Sequence, residues 1–231
     1  MRIVTVKKGV REMKSKWVSY FGAIVFLSLI ALNAYAAEEP AATAPATSKK
    51  AAAGKPAEKG NELVVADFDT GDKPNNIGGD FGAWDKDPND ETQGTKMSFE
   101  SEDALGDPAG YSVRLDYDVD SPNPAYNGFW MKLNGLNATN YNTLNFYIKG
   151  DPKAGFTKRV KIELKDMSNK PSPYIVSGVT DQWQKISIPF EKFRRVADWT
   201  ALNEFVVVFD DINSNPKSGS VYVDQIALSK E

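Results

Sequence analysis

The 231-residue sequence contains no cysteine and no histidine. Without cysteine there is no disulfide, no thiolate nucleophile and no lipid-modified cysteine. Without histidine, the commonest general base and the commonest zinc ligand are missing, which excludes Ser-His-Asp and Cys-His catalysis. The chain also lacks an internal repeat, a heptad pattern and the glycine spacings of dinucleotide and phosphate loops. A disulfide-free domain has to be held by its core, and roughly 170 residues can bury enough apolar surface for one.

Charge is unevenly spread. The first 60 residues carry ten Lys/Arg against four Asp/Glu, whereas the remaining 171 carry 18 against 27. An acidic body argues against nucleic acid, because phosphate binding needs a cationic surface. Neutral ligands and divalent cations remain open.

The basic start precedes an apolar run, Trp17 to Ala36 (WVSYFGAIVFLSLIALNAYA), with Arg2, Lys7, Lys8, Arg11, Lys14 and Lys16 before it. A positive segment, an apolar stretch and the small-x-small ending Ala34-Tyr35-Ala36 are the parts of a secretory signal. Residues 1–36 are therefore read as a signal peptide cleaved after Ala36, with Met13 the more ordinary start. The competing reading is an uncleaved anchor, since the run is near the roughly 20 residues that span a bilayer. Asn33 and the Ala-Tyr-Ala site favour cleavage, and either reading puts the body outside the cytoplasm, in periplasm or medium. Residues 37–60 hold Ala, Pro, Lys, Glu and Thr but no aromatic, Leu, Ile or Val. Such a segment cannot bury enough to offset its ordering entropy, so it reads as a linker.

Residues 61–231 read as one β domain. Tyr111–Asp120 alternates strictly, with Tyr111, Val113, Leu115, Tyr117 and Val119 against Ser112, Arg114, Asp116, Asp118 and Asp120. The same period appears in Gly128–Leu133, Thr143–Lys149 and Arg159–Lys165. Further runs are Glu62–Phe68, Thr95–Phe99, Tyr174–Val179, Trp183–Pro189, Glu204–Phe209 and Val221–Leu228, separated by Asn-Gly, Asn-Pro and Ser-Gly turn markers. The strongest helical candidate is a turn or two near Phe190–Ala197. About ten strands at short spacing predict an all-β sandwich of two antiparallel sheets.

Several of these segments point to a family. DFDTGDKPNNIGGDFGAW (Asp67–Trp84), YNGFWMKL (Tyr126–Leu133), YNTLNFYIKGD (Tyr141–Asp151), RVKIELKD (Arg159–Asp166), WQKISIPFEKF (Trp183–Phe193) and SGSVYVDQIAL (Ser218–Leu228) stand in order along the chain. Together they resemble the galactose-binding-like β-sandwich domains that include the family 11 carbohydrate-binding modules, with the complex I intermediate-associated protein domain as a relative. The resemblance implies a jelly roll whose concave sheet holds polysaccharide, often with a structural calcium. It also implies a place for that ion, at Asp67 and Asp69 in the opening segment and Asp224 in the last strand. Calcium takes six to eight oxygens, and Asp72, Asp80, Asp85 and Asp87 stand among nearby glycines that can expose carbonyls. The alternative is that these aspartates serve turns through local hydrogen bonds.

A sugar-binding face follows if the alternating aliphatic residues point inward. Trp130, Tyr147, Lys161 and Glu163 then point outward, with Lys132 and Lys149, and Arg114, Asp116 and Asp118 come from a neighbouring strand. Aromatic rings with a few convergent polar groups are the usual make-up of a small-ligand site. The alternative is that a loop covers these aromatics. Trp84, Trp183 and Trp199 read as structural, with Tyr126 and Tyr174 as second-rank candidates. The leading functional reading is an exported, non-catalytic carbohydrate-binding protein using Trp130, Tyr147, Arg114, Asp116, Glu163 and Lys161. The second is an envelope domain that presents its acidic face to a protein partner. The third is a hydrolase or lyase built on a carboxylate pair such as Asp116/Glu163.

Overall fold

The computed structural model describes residues 58–106 and 110–231. The expected signal, its cleavage point and the linker as far as residue 57 lie outside the described residues. Each of the ten expected strands is present, and two further strands complete the set. They are β1 (Glu58–Lys59), β2 (Glu62–Ala66), β3 (Phe81–Asp85), β4 (Gly94–Glu100), β5 (Ser112–Asp118) and β6 (Tyr126–Leu136). There follow β7 (Thr143–Gly150), β8 (Arg159–Asp166), β9 (Ser172–Ser177), β10 (Gln184–Pro189), β11 (Leu202–Asp210) and β12 (Ser218–Ser229). The two additions are β1, inside the segment read as linker, and β3. The sequence FGAWD of β3 contains Gly82 and Asp85 and lies among turn residues, which masked its period of two. Near Phe190 a single 3-10 turn, Phe190–Lys192, replaces the expected helical turn or two. Among the described residues no helix is long and apolar enough to cross a membrane.

The strands form an all-β jelly-roll sandwich of two antiparallel sheets. The five-stranded sheet runs β3-β6-β11-β8-β9. The seven-stranded sheet is built on β12, which pairs with β7 on one side, and β7 pairs with β10. On its other side β12 changes partner: Ser218–Val223 pairs with β5, itself flanked by β4, and Ile226–Ser229 pairs with β2. A bulge between these halves places Gln225 at φ 47° and shifts the register after Asp224. A bulge of this kind re-aims side chains where pairing changes.

The core lies between the sheets, filled from one side by residues such as Val113, Leu115, Phe146 and Ile148 and from the other by Phe129, Met131, Ile162 and Phe205, all buried. Each such side chain contributes about 1.5–3 kcal/mol when withdrawn from water. Aromatic pairs bridge the layers. Tyr117 stacks on Phe209 with ring centroids 4.3 Å apart, and Phe146 meets Phe205 edge-on at 6.0 Å.

At one end the chain is tied by a single buried carboxylate. Asp166 closes β8, and its Oδ1 accepts from the Ser168 amide at 2.8 Å while Oδ2 accepts from the Ala197 and Asp198 amides at 2.9 and 3.1 Å. These bonds, with the Ser168 hydroxyl first among them, hold the Asp166 carboxyl down at about 2. A carboxyl with its folded-state pKa depressed stabilises the fold above the unfolded value, and that stability drains away as pH falls through the folded value. Urea denaturation is expected to show wild type losing stability between about pH 4 and pH 2. Asp166→Asn is expected to start lower at pH 7 and to close the gap with wild type over that range. Parallel pH profiles for the two proteins would refute the assignment.

Candidate functional site

The residues that alternate with the core on the five-stranded sheet form its outer face. The pairing registers align them in rows across the strands. One row is Gly82, Trp130, Val206, Glu163 and Pro173. The next is Trp84, Gly128, Val208 and Lys161, and a third is Lys132, Glu204 and Lys165. Over these rows lies a groove of about 640 Å³. Trp84, Tyr126 and Trp130 line one end, Val206 and Val208 the floor, and Lys132, Lys161, Glu163, Lys165 and Glu204 the rest, with Asn169 and Pro171 at the rim.

Both groove indoles stand opposite a glycine on the neighbouring strand. Trp130 is paired across the ladder with Gly82, and a Cβ there would stand 3.6 Å from the indole Nε1 and Cζ2. Trp84 is paired with Gly128, where a Cβ would run into the Val207 main chain and not the indole. An aromatic ring covering a bare glycine on the neighbouring strand replaces the packing that glycine lacks. Trp84 also meets Tyr126, with centroids 5.8 Å apart at 60°. Its indole N–H is buried and finds no acceptor among the described residues. An unmet buried donor costs about 1–3 kcal/mol, so the ring holds this position at some expense to the fold.

The charged groups of the groove are largely paired with one another. Glu204 accepts from Lys132 Nζ and Lys165 Nζ, each at 2.7 Å, and Lys161 Nζ reaches Asp210 at 2.7 Å. Burial works to raise the Glu204 pKa, but the two lysine hydrogen bonds outweigh it and hold the carboxyl below its usual range. Glu163 is the reverse case. Burial pushes its carboxyl up against the opposing pull of Lys161 and Lys165. Around Trp130 two ammonium groups approach the ring, Lys132 at 5.5 Å and Lys73 at 6.0 Å from its centroid, within cation–π range.

The profile of the carbohydrate binding domain 30 family matches residues 75–230, about two thirds of the chain. The chain belongs to this family. Comparison with curated proteins gives no match. Among solved structures, the domain is similar to the family 11 carbohydrate-binding module of the cellulosomal cellulase Lic26A-Cel5E of Clostridium thermocellum. That match is 18% identical, covers 75% of this chain and 97% of the other, and has a TM-score of 0.54. It is equally similar to a family 11 module from Clostridium thermocellum in complex with a β-1,3-1,4-mixed-linked tetrasaccharide, at 18% identity, 75% and 98% coverage and TM-score 0.53. At such identities the likeness is one of fold. An exo-β-agarase structure shares the fold over 73% of this chain and 25% of its own, at 9% identity and TM-score 0.54.

Within this carbohydrate-binding domain the residues expected to form one face are divided between two. Trp130, Lys161 and Glu163 stand together in the groove. Arg114, Asp116 and Tyr147 lie on the outer face of the seven-stranded sheet, because β5 and β7 pair with β12 and not with β6 or β8. Strand alternation gave the correct facing for every one of them but could not tell which sheet each strand joins. The same division separates Asp116 from Glu163 by the whole sandwich, so they cannot flank one glycosidic bond. Trp84, expected to be structural, lines the groove, and Tyr126 joins it there; Lys165 and Glu204 were not foreseen as part of it. The signal for Trp84 was its alternation with Phe81 and Ala83 in β3. Trp199 and Trp183 are packing residues: Trp199 stacks on Phe190 at 4.1 Å, and Trp183 meets Tyr222 edge-on at 6.4 Å.

Arg114 is committed to the fold. Its Nε donates to Asp116 and its Nη1 to Asp151, both at 2.8 Å, while Nη1 also reaches the Tyr222 hydroxyl at 2.6 Å and Nη2 the Ser220 hydroxyl at 2.9 Å. Ser220 in turn donates to Asp116. Four of the five guanidinium N–H groups are taken up within the fold, which leaves at most one, on Nη2, for a ligand.

Asp67, Asp69 and Asp224 lie in one neighbourhood where β12 changes partner, near enough to act on one another through charge. Asp224 is fully buried, and its oxygens accept from the Leu105 amide at 2.9 Å and the Gln225 amide at 2.7 Å. Burial pushes its carboxyl up to about 7, and the charges of Asp69 and Asp67 add to the effect. No lysine or arginine among the described residues bridges these three carboxyls. A buried carboxylate beside two others and without a counter-charge fits a cation in charge. In number it does not suffice, because no three acidic side chains among the described residues converge as a metal cluster. Main-chain oxygens would have to complete a shell.

The Arg114 network yields a direct test. Arg114→Ala is expected to lower unfolding free energy in urea by about 2–3 kcal/mol, below the roughly 3–5 kcal/mol of a fully buried pair because Arg114 and Asp116 are partly exposed. Near-UV circular dichroism from the groove tryptophans is expected to stay unchanged. A loss of ligand binding with stability intact would return Arg114 to the site.

Proposed function

We propose that the domain holds a polysaccharide or cell-wall glycan in the groove of the five-stranded sheet without breaking any bond. One observation carries the reading: Trp84, Tyr126 and Trp130 line a groove floored by valines in a member of a carbohydrate-binding family. The apolar faces of pyranose rings stack on indole and phenol rings, and the valine floor accommodates the sugar edges. Polar groups along the groove supply hydrogen bonds to hydroxyls. Because each such bond replaces one to water, a single site of this kind binds weakly. The non-catalytic reading is supported by Glu204, whose two oxygens are both held by lysines and which is therefore no free acid or nucleophile. An open groove also favours sugar over a protein partner, which calls for a flatter face. The signal-like start supports export, to periplasm or medium.

Calcium is part of the proposal. Asp69 and Asp224, with Asp67, would hold the ion together with main-chain oxygens, and it would brace the junction of β2, β5 and β12. Its role there is structural, supplying positive charge to a buried carboxylate.

Two experiments test these statements. Affinity electrophoresis of the protein against β-glucans, xylan, mannan and peptidoglycan is expected to show retardation by at least one. Trp130→Ala is expected to weaken it about tenfold or more with the fold unchanged, as for a central aromatic contact. No retardation by any polysaccharide would move the assignment to protein interaction. Separately, millimolar calcium is expected to raise the melting temperature by several degrees through preferential binding to the folded state, reversed by chelator and absent in Asp224→Asn. An unchanged melting temperature would remove the ion from the account.

A further inference from the structure

Glu163 occupies the middle of the groove, two strands from Trp130 in the same cross-strand row, with Val206 between them and Pro173 beyond. It is half-buried, and its carboxylate has no hydrogen bond or ion pair with any described residue. The cations nearest in sequence are turned elsewhere, Lys161 to Asp210 and Lys165 to Glu204. An acceptor left open among charged groups that otherwise pair with one another, in the same row as Trp130, is an acceptor for something external.

We propose that Glu163 is the acceptor through which the groove holds sugar hydroxyls, and that its protonation releases the glycan. This rests on the glycan-binding reading above and adds to it a residue role and a control. The charged groups facing Glu163 are Lys161 and Lys165 on its own strand, Glu204 on β11 and Arg195 in the segment before β11. Lys132 on β6 lies in the adjoining row, tied to Glu204. Because Lys161 is paired with Asp210 and Lys165 shares Glu204 with Lys132, they only partly offset the burial of Glu163. Its pKa is raised by that burial, which brings the transition above the ordinary glutamate value of about 4.3. A hydroxyl donating to a carboxylate makes a bond roughly twice as strong as one donating to a neutral acceptor. A bound sugar would also exclude water from the Val206 side and sharpen the difference.

The sign follows from linkage. The glycan binds the charged form better, so affinity is full above the free-protein pKa and falls as pH drops through it. Titration calorimetry of wild type with the retarding polysaccharide is expected to show roughly tenfold weaker binding at pH 4 than at pH 7. Glu163→Gln, which keeps shape but not charge, is expected to bind about as weakly at pH 7 as wild type at pH 4, with a flat profile. Carboxyl carbon NMR supplies a second readout: the Glu163 pKa is expected to fall on saturation with glycan. Binding that persists with the same pH profile in Glu163→Gln, or a Glu163 pKa unmoved by ligand, would overturn the inference and leave the glycan reading standing. Absence of binding at every pH would remove both.

Discussion

The shared core between the two sheets is the constraint from which the rest follows. Every long strand surrenders one set of alternate side chains to it, so the other set is committed to an outer face before any ligand is considered. Val160, Ile162 and Leu164 point inward, and Lys161, Glu163 and Lys165 have no other place to go. A one-residue slip would exchange the two sets and bury three charges, which is why register in such a sheet is strongly held. The groove is thus a by-product of burial, and its composition is that of the positions the core does not claim.

The two outer faces show what the same kinds of residue do in different company. On the seven-stranded sheet, arginine, aspartates, serine and tyrosine satisfy one another, and aromatic side chains pack on cations, as where Lys149 lies 5.2 Å from the Tyr222 ring. The charged groups of that face are largely taken up by one another. On the five-stranded sheet the lysines are drawn to Glu204 and Asp210, leaving three aromatic rings and one carboxylate open over a valine floor. Selective pairing of charge decides which polar groups remain available, and availability is what separates a scaffold from a site.

The switch of β12 from β5 to β2 gives the fold a second special point. Between the two partners the strand must bulge, and the bulge delivers Asp224 to a place where β2 ends and the segment before β5 closes over it. Three aspartates separated by as much as 157 positions in the chain are near enough there to raise the proton affinity of the buried one. A buried negative charge without a counter-charge is costly, and the raised proton affinity of Asp224 is the expression of that cost.

Much of this was legible before any coordinates. The period of two in β5, β6, β7 and β8 gave both the strands and their inward residues, and the order of the matching segments gave the fold. The outward facing of Trp130, Glu163 and Lys161 was legible because facing is a local property of a strand, and their strands join one sheet. The facing of Arg114, Asp116 and Tyr147 was equally legible but their sheet was not, because sheet membership depends on pairings between strands far apart in sequence, about which alternation says nothing. Trp84 was lost because the glycine and aspartate of β3 resemble a turn when read alone, and become a strand only when β6 lies alongside. The sequence by itself determined which residues face in and which face out, since backbone geometry enforces that residue by residue. Only the tertiary structure decided which outward residues meet, because that depends on the long-range pairing of β11 with β6 and β8 and of β12 with β5 and β7.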